Sequence, residues 1–407
     1  MRFLPQPPPA GLWESYYSEV IGMKRKLLIL GSYILVAALA TILTLGMVYM
    51  EGGLTPTKLE QLEGLILERF IGEADAETLE DAAAAAMVSA TGDRWSYYIS
   101  AGEYESYAEQ MANAYVGVGI TILQQEGSVG FLILEVTAGG PAAEAGLQVE
   151  DLLIQVAGTD VREMTAEEVR NLVRGEEGTF VDMTVLRKGE PRTISVERRK
   201  VQTPVASWEM LSHNIGLVTI ENFDDRCAEE TIAAIETLLE NGAQRLIFDV
   251  RNNPGGYAHE LVKVLDHLLP EGELFRAVSY DGKENVDYSD ADCLEVPMAV
   301  LVNSGSYSAA EFFAAAMQEY DAAFVVGEQT SGKGYFQTTI HLNDGSAVAL
   351  SVGKYYTPGG VSLAGVGVTP DRWIETDEET ESAIYYGTLS PGEDPYIQAA
   401  VELLKNK

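Results

Sequence analysis

The sequence predicts an α/β body behind one long apolar helix, and three observations lead there. From about residue 201 to 375, strand-like runs alternate with helical ones. They are Ile215 to Ile220, Thr231 to Glu240, Arg245 to Val250, Tyr257 to Leu269, Ala299 to Asn303, and the stretch from Ser308 onward. Such alternation indicates an α/β sheet with ligands at the strand ends. Leu27 to Met50 runs for 24 residues without a charge. Ser308 and Lys333, 25 positions apart, each stand in a loop beside regular structure.

The apolar run is long enough to span a bilayer with some tilt, and a core helix of that length would show a polar stripe. Lys24-Arg25-Lys26 precede it and Glu51 follows it. By the positive-inside rule, residues 1–26 are a cytosolic leader, 27–50 a transmembrane anchor, and the body is extracytoplasmic. A cleaved signal peptide is the alternative, but the run is long for one and no clean A-x-A site follows. The leader from Met1 to Gly22, with Leu4-Pro5-Gln6-Pro7-Pro8-Pro9, is expected to be disordered. A start at Met23 gives a tidier anchor, so the start codon stays open.

A chain of 407 residues, 46% of them apolar, has room for two or three domains with sizeable cores. The net charge of −35 and pI near 4.3 exclude nucleic acid as a partner and hold the body off anionic lipid. The two cysteines, Cys227 and Cys293, either pair outside the cytoplasm or remain thiols, and are too few to read a compartment from. Residues 51–112 read as helical, with Pro56 to Phe70 and Glu77 to Thr91 as helices. Tyr97 to Met111 adds aromatic and helical segments. No chemistry is read in this region.

Ser308 joins the apolar run Met298 to Asn303 to the helix-forming run Ala309 to Gln318. Backbone N–H groups and the positive end of the helix dipole lie close to a serine so placed, and can hold the oxygen of a tetrahedral acyl intermediate. Its hydroxyl needs a base. None of His213, His259, His267 and His341 lies in a Gly-rich turn, whereas Lys333 is flanked by Gly332 and Gly334. Burial makes a lysine a base near neutral pH by lowering its pKa. Taken singly, Ser308 reads as a helix N-cap and Lys333 as a surface-loop lysine. Gly255-Gly256, between a strand-like and a helical run, permits positive φ and close approach to a ligand, or makes an ordinary tight connection. Gly327 to Lys333 fits half of a phosphate loop, but Gly334 stands where the Mg²⁺-binding hydroxyl belongs. The residues beyond, Tyr335 to Leu342, Asn343-Asp344-Gly345 and Ser346 to Val352, read as a hairpin. No metal-ligand cluster such as H-E-x-x-H stands out, and no cofactor is expected.

Residues from about 57 to 375 resemble a carboxy-terminal processing peptidase, an S41-family serine protease with a Ser–Lys dyad and an embedded PDZ domain. The resemblance is carried by Asn303 to Glu311, Val326 to Gly334 and Gln337. It continues in Asp249-Val250-Arg251-Asn252-Asn253-Pro254-Gly255-Gly256, Lys354-Tyr355-Tyr356-Thr357-Pro358 and Gly365 to Asp371. These motifs stand in the family's order. The resemblance implies an α/β protease core of ClpP/crotonase-like strand-turn-helix units over 201–375. It also implies Ser308 as nucleophile, Lys333 as general base and Gln337 as the side chain that orients the lysine. Oxyanion N–H groups would come from Ala309 and from Gly255 or Gly256. Tyr307 stands where a small residue is usual, narrowing the site, and Ala310 where a serine is frequent.

Residues 113–200 resemble the PDZ domain. Val116-Gly117-Val118-Gly119-Ile120 is similar to the loop that receives a peptide's C-terminal carboxylate. Thr121 to Gln124 would be the strand that the peptide extends. Thr165-Ala166-Glu167-Glu168 is a capping box opening a helix through Val173, the other wall of the groove. Gly139 to Leu147 and Glu150 to Ile154 match the same pattern. Arg174-Gly175 either resembles a position that relays PDZ occupancy to the protease site or simply ends the helix. The tail, 376–407, is acidic from Thr376 to Glu381, has a short helix from Pro395 to Leu404, and reads as structural.

The expected function is a membrane-anchored extracytoplasmic endopeptidase that captures a protein by its free apolar C-terminus and cleaves near that end. The alternative is a PDZ peptide-binding scaffold with an inactive protease domain. The sequence leaves open the substrate, the cleavage preference and the oligomeric state, a homo-oligomer included.

Overall fold

The computed structural model describes residues 10–50, 56–125, 127 and 129–405. They divide into two compact units, 1–87 and 88–407. The first holds helices α1 (Ala10–Met50) and α2 (Lys58–Arg69) and most of α3 (Ala76–Ser89). Within α1, Gly22–Leu45 is apolar enough and long enough to cross a bilayer. The expected disorder of the leader is corrected over residues 10–22, which are helical, because no proline follows Pro9 to remove a backbone donor. The proline run itself lies outside the described residues.

In the second unit, β1 (Tyr97–Ile99) and α4 (Ala101–Met111) lead into β2 (Ala114–Gly117). A β-rich region follows, made of β3 (Ile120–Gln124), β4 (Phe131–Val136), α5 (Pro141–Ala145), β5 (Leu152–Val156) and β6 (Thr159–Asp160). It continues through α6 (Ala166–Val173), β7 (Phe180–Arg187) and β8 (Glu190–Glu197) to β9 (Arg199–Gln202). Strands order as β3-β4-β5-β7-β8, and β2 pairs with β9 to close the region's neck. Thr165 caps α6 with the expected reciprocal bonds to Glu168.

The remaining strands and helices are β10 (Ala206–Leu211), β11 (Ile215–Ile220), α7 (Cys227–Glu240), β12 (Arg245–Asp249), α8 (Ala258–Leu268), β13 (Gly272–Ser279), β14 (Glu284–Ser289) and β15 (Met298–Val302). Then come α9 (Ala309–Glu319), β16 (Ala323–Gly327), β17 (Tyr335–His341), β18 (Ala347–Tyr356), β19 (Arg372–Trp373), α10 (Glu378–Tyr385) and α11 (Pro395–Lys405). One six-stranded sheet runs β10-β11-β12-β15-β16-β19, parallel except at its antiparallel edge strand β10. A second sheet, β1-β18-β13-β14 with β17 on β18, carries the expected hairpin.

Strand β15 shows why the parallel sheet is buried on both faces. Val300 and Val302 pack with α7, α8 and α9, whereas Ala299 and Leu301 pack with α11. Alternate side chains face opposite ways, so a doubly covered strand must be apolar throughout. The tail is integral to this core. Tyr396, Ile397, Ala400, Val401 and Leu404 of α11 are buried, and Arg251 pairs with Asp249 at 2.6 Å and Asp394 at 2.8 Å. Cys227 and Cys293 are both unpaired.

Candidate active site

Parallel pairing sets the ends of β12, β15 and β16 side by side, so the loops leaving them meet. Side-chain bonds join the first two loops. The Asn252 N–H donates to Asn303 Oδ1 and Asn303 Nδ2 donates to Asn252 Oδ1, both at 2.9 Å. Ser306 Oγ donates to the Val250 carbonyl at 2.7 Å, and the Tyr307 N–H to the Asn253 carbonyl at 3.1 Å. The third loop joins when the Ser331 N–H donates to the Ser306 carbonyl at 3.1 Å.

This stapling delivers Ser308 to the N-terminus of α9 at φ 58° and ψ −124°, a left-handed region that is costly for a residue with a Cβ. Gly255 stands against it. A Cβ on Gly255 would lie 2.7 Å from Ser308 Cβ and 2.9 Å from the Ala309 nitrogen. Gly255 has φ 88°, and its own N–H is already bonded to Asn253 Oδ1 at 2.8 Å. Gly256 has φ 150°, and a Cβ there would be 2.3 Å from the Phe223 carbonyl carbon. Among the described residues, the N–H groups of Gly256 and Ala309 donate to no protein acceptor.

Glu311 ties the serine loop to the lysine loop, and the sequence reading did not single it out. Its carboxylate is fully buried and receives four donors. Oε1 accepts from Thr330 Oγ1 at 2.6 Å and the Gly332 N–H at 2.7 Å. Oε2 accepts from the Lys333 N–H at 2.8 Å and the Ser308 N–H at 2.9 Å. Burial pushes this carboxyl above its ordinary range, and the four hydrogen bonds pull it back. Glu311 stands three residues after Ser308, in the S-x-x-E spacing of a capping box and at the end of the motif Asn303 to Glu311, and these were the signals that could have marked it.

Lys333 is half-buried, and its amine is pushed below the ordinary lysine range, chiefly by burial. Nζ stands 4.9 Å from the Trp95 ring centroid and 5.7 Å from that of Tyr307. Among the described residues it has no ion pair and no hydrogen bond to Ser308 Oγ. Trp95, from the region 51–112 in which no chemistry is read, is the residue whose ring the fold packs on the lysine. Gln337 makes no bond to Lys333. Its amide nitrogen donates to Ser351 Oγ at 2.9 Å, because a bulge in β17 at Phe336 and Gln337 sets its register against β18.

A groove of about 340 Å³ runs between β3 and α6, lined by Gly117, Val118, Gly119, Ile120 and, on the helix side, Val173 and Arg174. Val116 is a correction to the expected loop. It belongs to β2, opposite Lys200, and its N–H is occupied by Glu109 Oε1 at 2.8 Å. Glu109 also pairs with Arg174 at 3.4 Å, so one acid of α4 touches both β2 and the end of the groove helix.

The signature of Peptidase family S41 matches residues 214–374, and that of the PDZ domain residues 132–187. A Staphylococcus haemolyticus protein named "Probable CtpA-like serine protease" is 30% identical over 362 residues, spanning 86% of this chain and 72% of the relative. The "Carboxy-terminal processing protease CtpA" of Bacillus subtilis is 31% identical over 316 residues, or 77% and 67% of the two chains. Among solved structures, the photosystem II D1 C-terminal processing protease aligns over 77% of this chain and 86% of its own. It is 27% identical, with a TM-score of 0.46. The chain belongs to peptidase family S41: it is a serine-type carboxy-terminal processing endopeptidase with a PDZ domain.

Proposed function

We propose that Ser308 is the nucleophile and Lys333 the general base of a membrane-anchored, extracytoplasmic endopeptidase. The observation that carries this reading is the carboxylate of Glu311, which binds the backbones of both residues at once. The neutral Lys333 amine takes the Ser308 hydroxyl proton as Oγ attacks the scissile carbonyl carbon. The N–H groups of Ala309 and Gly256 hold the resulting oxyanion. Gly256 is favoured over Gly255 because the N–H of Gly255 is already bonded to Asn253. As the tetrahedral species collapses, the amine leaving group takes the proton from Lys333, leaving an acyl-serine. Water then attacks the acyl carbon as Lys333 takes one of its protons. The C–Oγ bond breaks, Lys333 returns that proton to Ser308 Oγ, and the product departs with its new C-terminal carboxyl group.

The groove between β3 and α6 receives the substrate's free C-terminus, which adds a strand to β3. Its apolar floor of Val118 and Val173 supports a preference for apolar ends. Arg174 relays occupancy through Glu109 and α4. Helix α1 anchors the chain, with Lys24-Arg25-Lys26 in the cytosol and the ClpP/crotonase-like core outside. The test is a fluorophosphonate probe on the purified protein. It labels the wild type and spares Ser308→Ala. Equal labelling of both removes Ser308 as the nucleophile.

A further inference from the structure

Two aromatic rings from distant parts of the chain enclose the Lys333 amine. Trp95 lies in the loop before β1, Tyr307 immediately precedes the nucleophile, and their centroids are 5.6 Å apart. We propose that Trp95 is a positioning residue for the general base, closing the Lys333 amine off from water and fixing its place beside the Ser308 loop. The inference rests on the reading of Lys333 as base.

The ring acts on the amine in two opposing ways. Covering it penalises the charged form, whereas the π face, within about 6 Å, attracts an ammonium. Burial is the larger effect at Lys333, and Glu311 and Asp93 act against it. The other groups facing this corner are the Tyr307 phenol and Arg94. The Arg94 guanidinium carbon lies 4.1 Å from the Trp95 centroid, and its Nη2 donates to Ser331 Oγ at 3.2 Å.

Trp95 is itself held by a hydrogen-bonded chain. Asp93 Oδ1 accepts the Trp95 N–H at 3.1 Å, and Asp93 Oδ2 accepts from Ser96 Oγ at 2.6 Å. Ser96 Oγ accepts the Ser351 N–H, and Ser351 Oγ accepts from Gln337, both at 2.9 Å. Gln337 therefore reaches the lysine through the mounting of Trp95, with no bond of its own. The ring also lines a cleft of about 740 Å³ with Asp93, Gly332 and Tyr335, so replacing it with a small residue lets water in beside the lysine.

The test uses the purified full-length chain as wild type, Trp95→Phe, Trp95→Leu and Trp95→Ala, with two readouts across pH. One is kcat/KM on an unstructured protein. The other is competitive acetylation of Lys333, read by mass spectrometry, which titrates the amine without any catalysis. Trp95→Ala should move the acid limb and the amine titration up by about one pH unit, roughly a tenfold loss of kcat/KM on that limb. Trp95→Leu keeps the cover and loses the π face, so it should move both downward, while Trp95→Phe stays with the wild type. Should Trp95→Ala fail to fold, the Leu and Phe variants decide. An unmoved Lys333 titration in every folded variant overturns the proposal and leaves Lys333 standing as base. A titration that moves under an unchanged rate profile instead removes Lys333 as base, and the catalytic role of Trp95 with it.

Discussion

Ser308 and Lys333 donate their backbone N–H groups to the same oxygen, Oε2 of Glu311, at 2.9 and 2.8 Å. Two loops from different strand ends are thus referenced to one buried atom. A shift of either loop breaks a charge-assisted bond inside the core, where such bonds are strong and expensive to lose.

Glu311→Gln replaces one acceptor oxygen by a donor and sets it against at least one N–H of the clamp. We expect at least a tenfold loss of kcat/KM together with a lower Tm, since each orphaned buried donor costs about 1–3 kcal/mol. Steady-state kinetics and thermal melts check this. Unchanged kinetics in a folded Glu311→Gln protein would show that the clamp is dispensable.

Ser308→Ala should abolish peptide-bond cleavage while the protein stays folded. Loss of an N-cap hydroxyl costs about 0.5–2 kcal/mol, and alanine keeps the Cβ that stands beside Gly255. Digestion of an unstructured protein by the purified variant, followed by gel and mass spectrometry, is the measurement. Retained cleavage sinks the assignment.

Lys333→Ala and Lys333→Arg should both be inactive, because arginine cannot be deprotonated in a protein. Burial holds the Lys333 amine below the ordinary lysine range. The neutral, competent amine therefore gains population as pH rises through that lowered value, and kcat/KM should climb on an acid limb lying below about pH 10.4. His259 stacks on Tyr257 and His341 packs on Tyr104. Replacing all four histidines together should leave turnover measurable, and a folded but inactive histidine-free chain would be wrong for a Ser–Lys dyad.

A peptide ending in small or apolar residues with a free carboxylate should bind the full chain at least tenfold more tightly than its amidated twin, because the N–H cradle of Gly117 to Ile120 then faces no charge. Fluorescence polarisation reads this directly, and equal affinities would remove carboxylate recognition. Adding the same peptide to a short reporter that cannot reach the groove separates delivery from switching. Stimulation that disappears in Arg174→Ala marks a relay through the Arg174–Glu109 pair.

Asp224, buried beside the Gly256 turn with Oδ1 unpartnered among the described residues, has its carboxyl pushed up to about 7 by burial. The folded state holds this proton more tightly than the unfolded chain. The associated stability is complete below about pH 4, falls as pH rises toward 7, and is fully lost above it. Asp224→Asn should therefore flatten the decline in Tm between acid and neutral pH, a gain of up to roughly 4 kcal/mol. Parallel Tm profiles for the two proteins would contradict this reading.

The sequence by itself determined the local elements and singled out the candidate reacting groups. The alternation over Ile215 to Val302, the helix after Ser308 and the capped helix from Thr165 were all legible, because periodicity and caps are set by residues a few positions apart. The tertiary structure decided what those groups touch. It assigned the Val116 N–H to Glu109, engaged the Gly255 N–H with Asn253, sent Gln337 to Ser351, and set Trp95 on Lys333. Strand order joins Arg94 to Ser331 across 237 positions. No local pattern records such a contact, because it exists only once the sheet's packing has brought separate strand ends together.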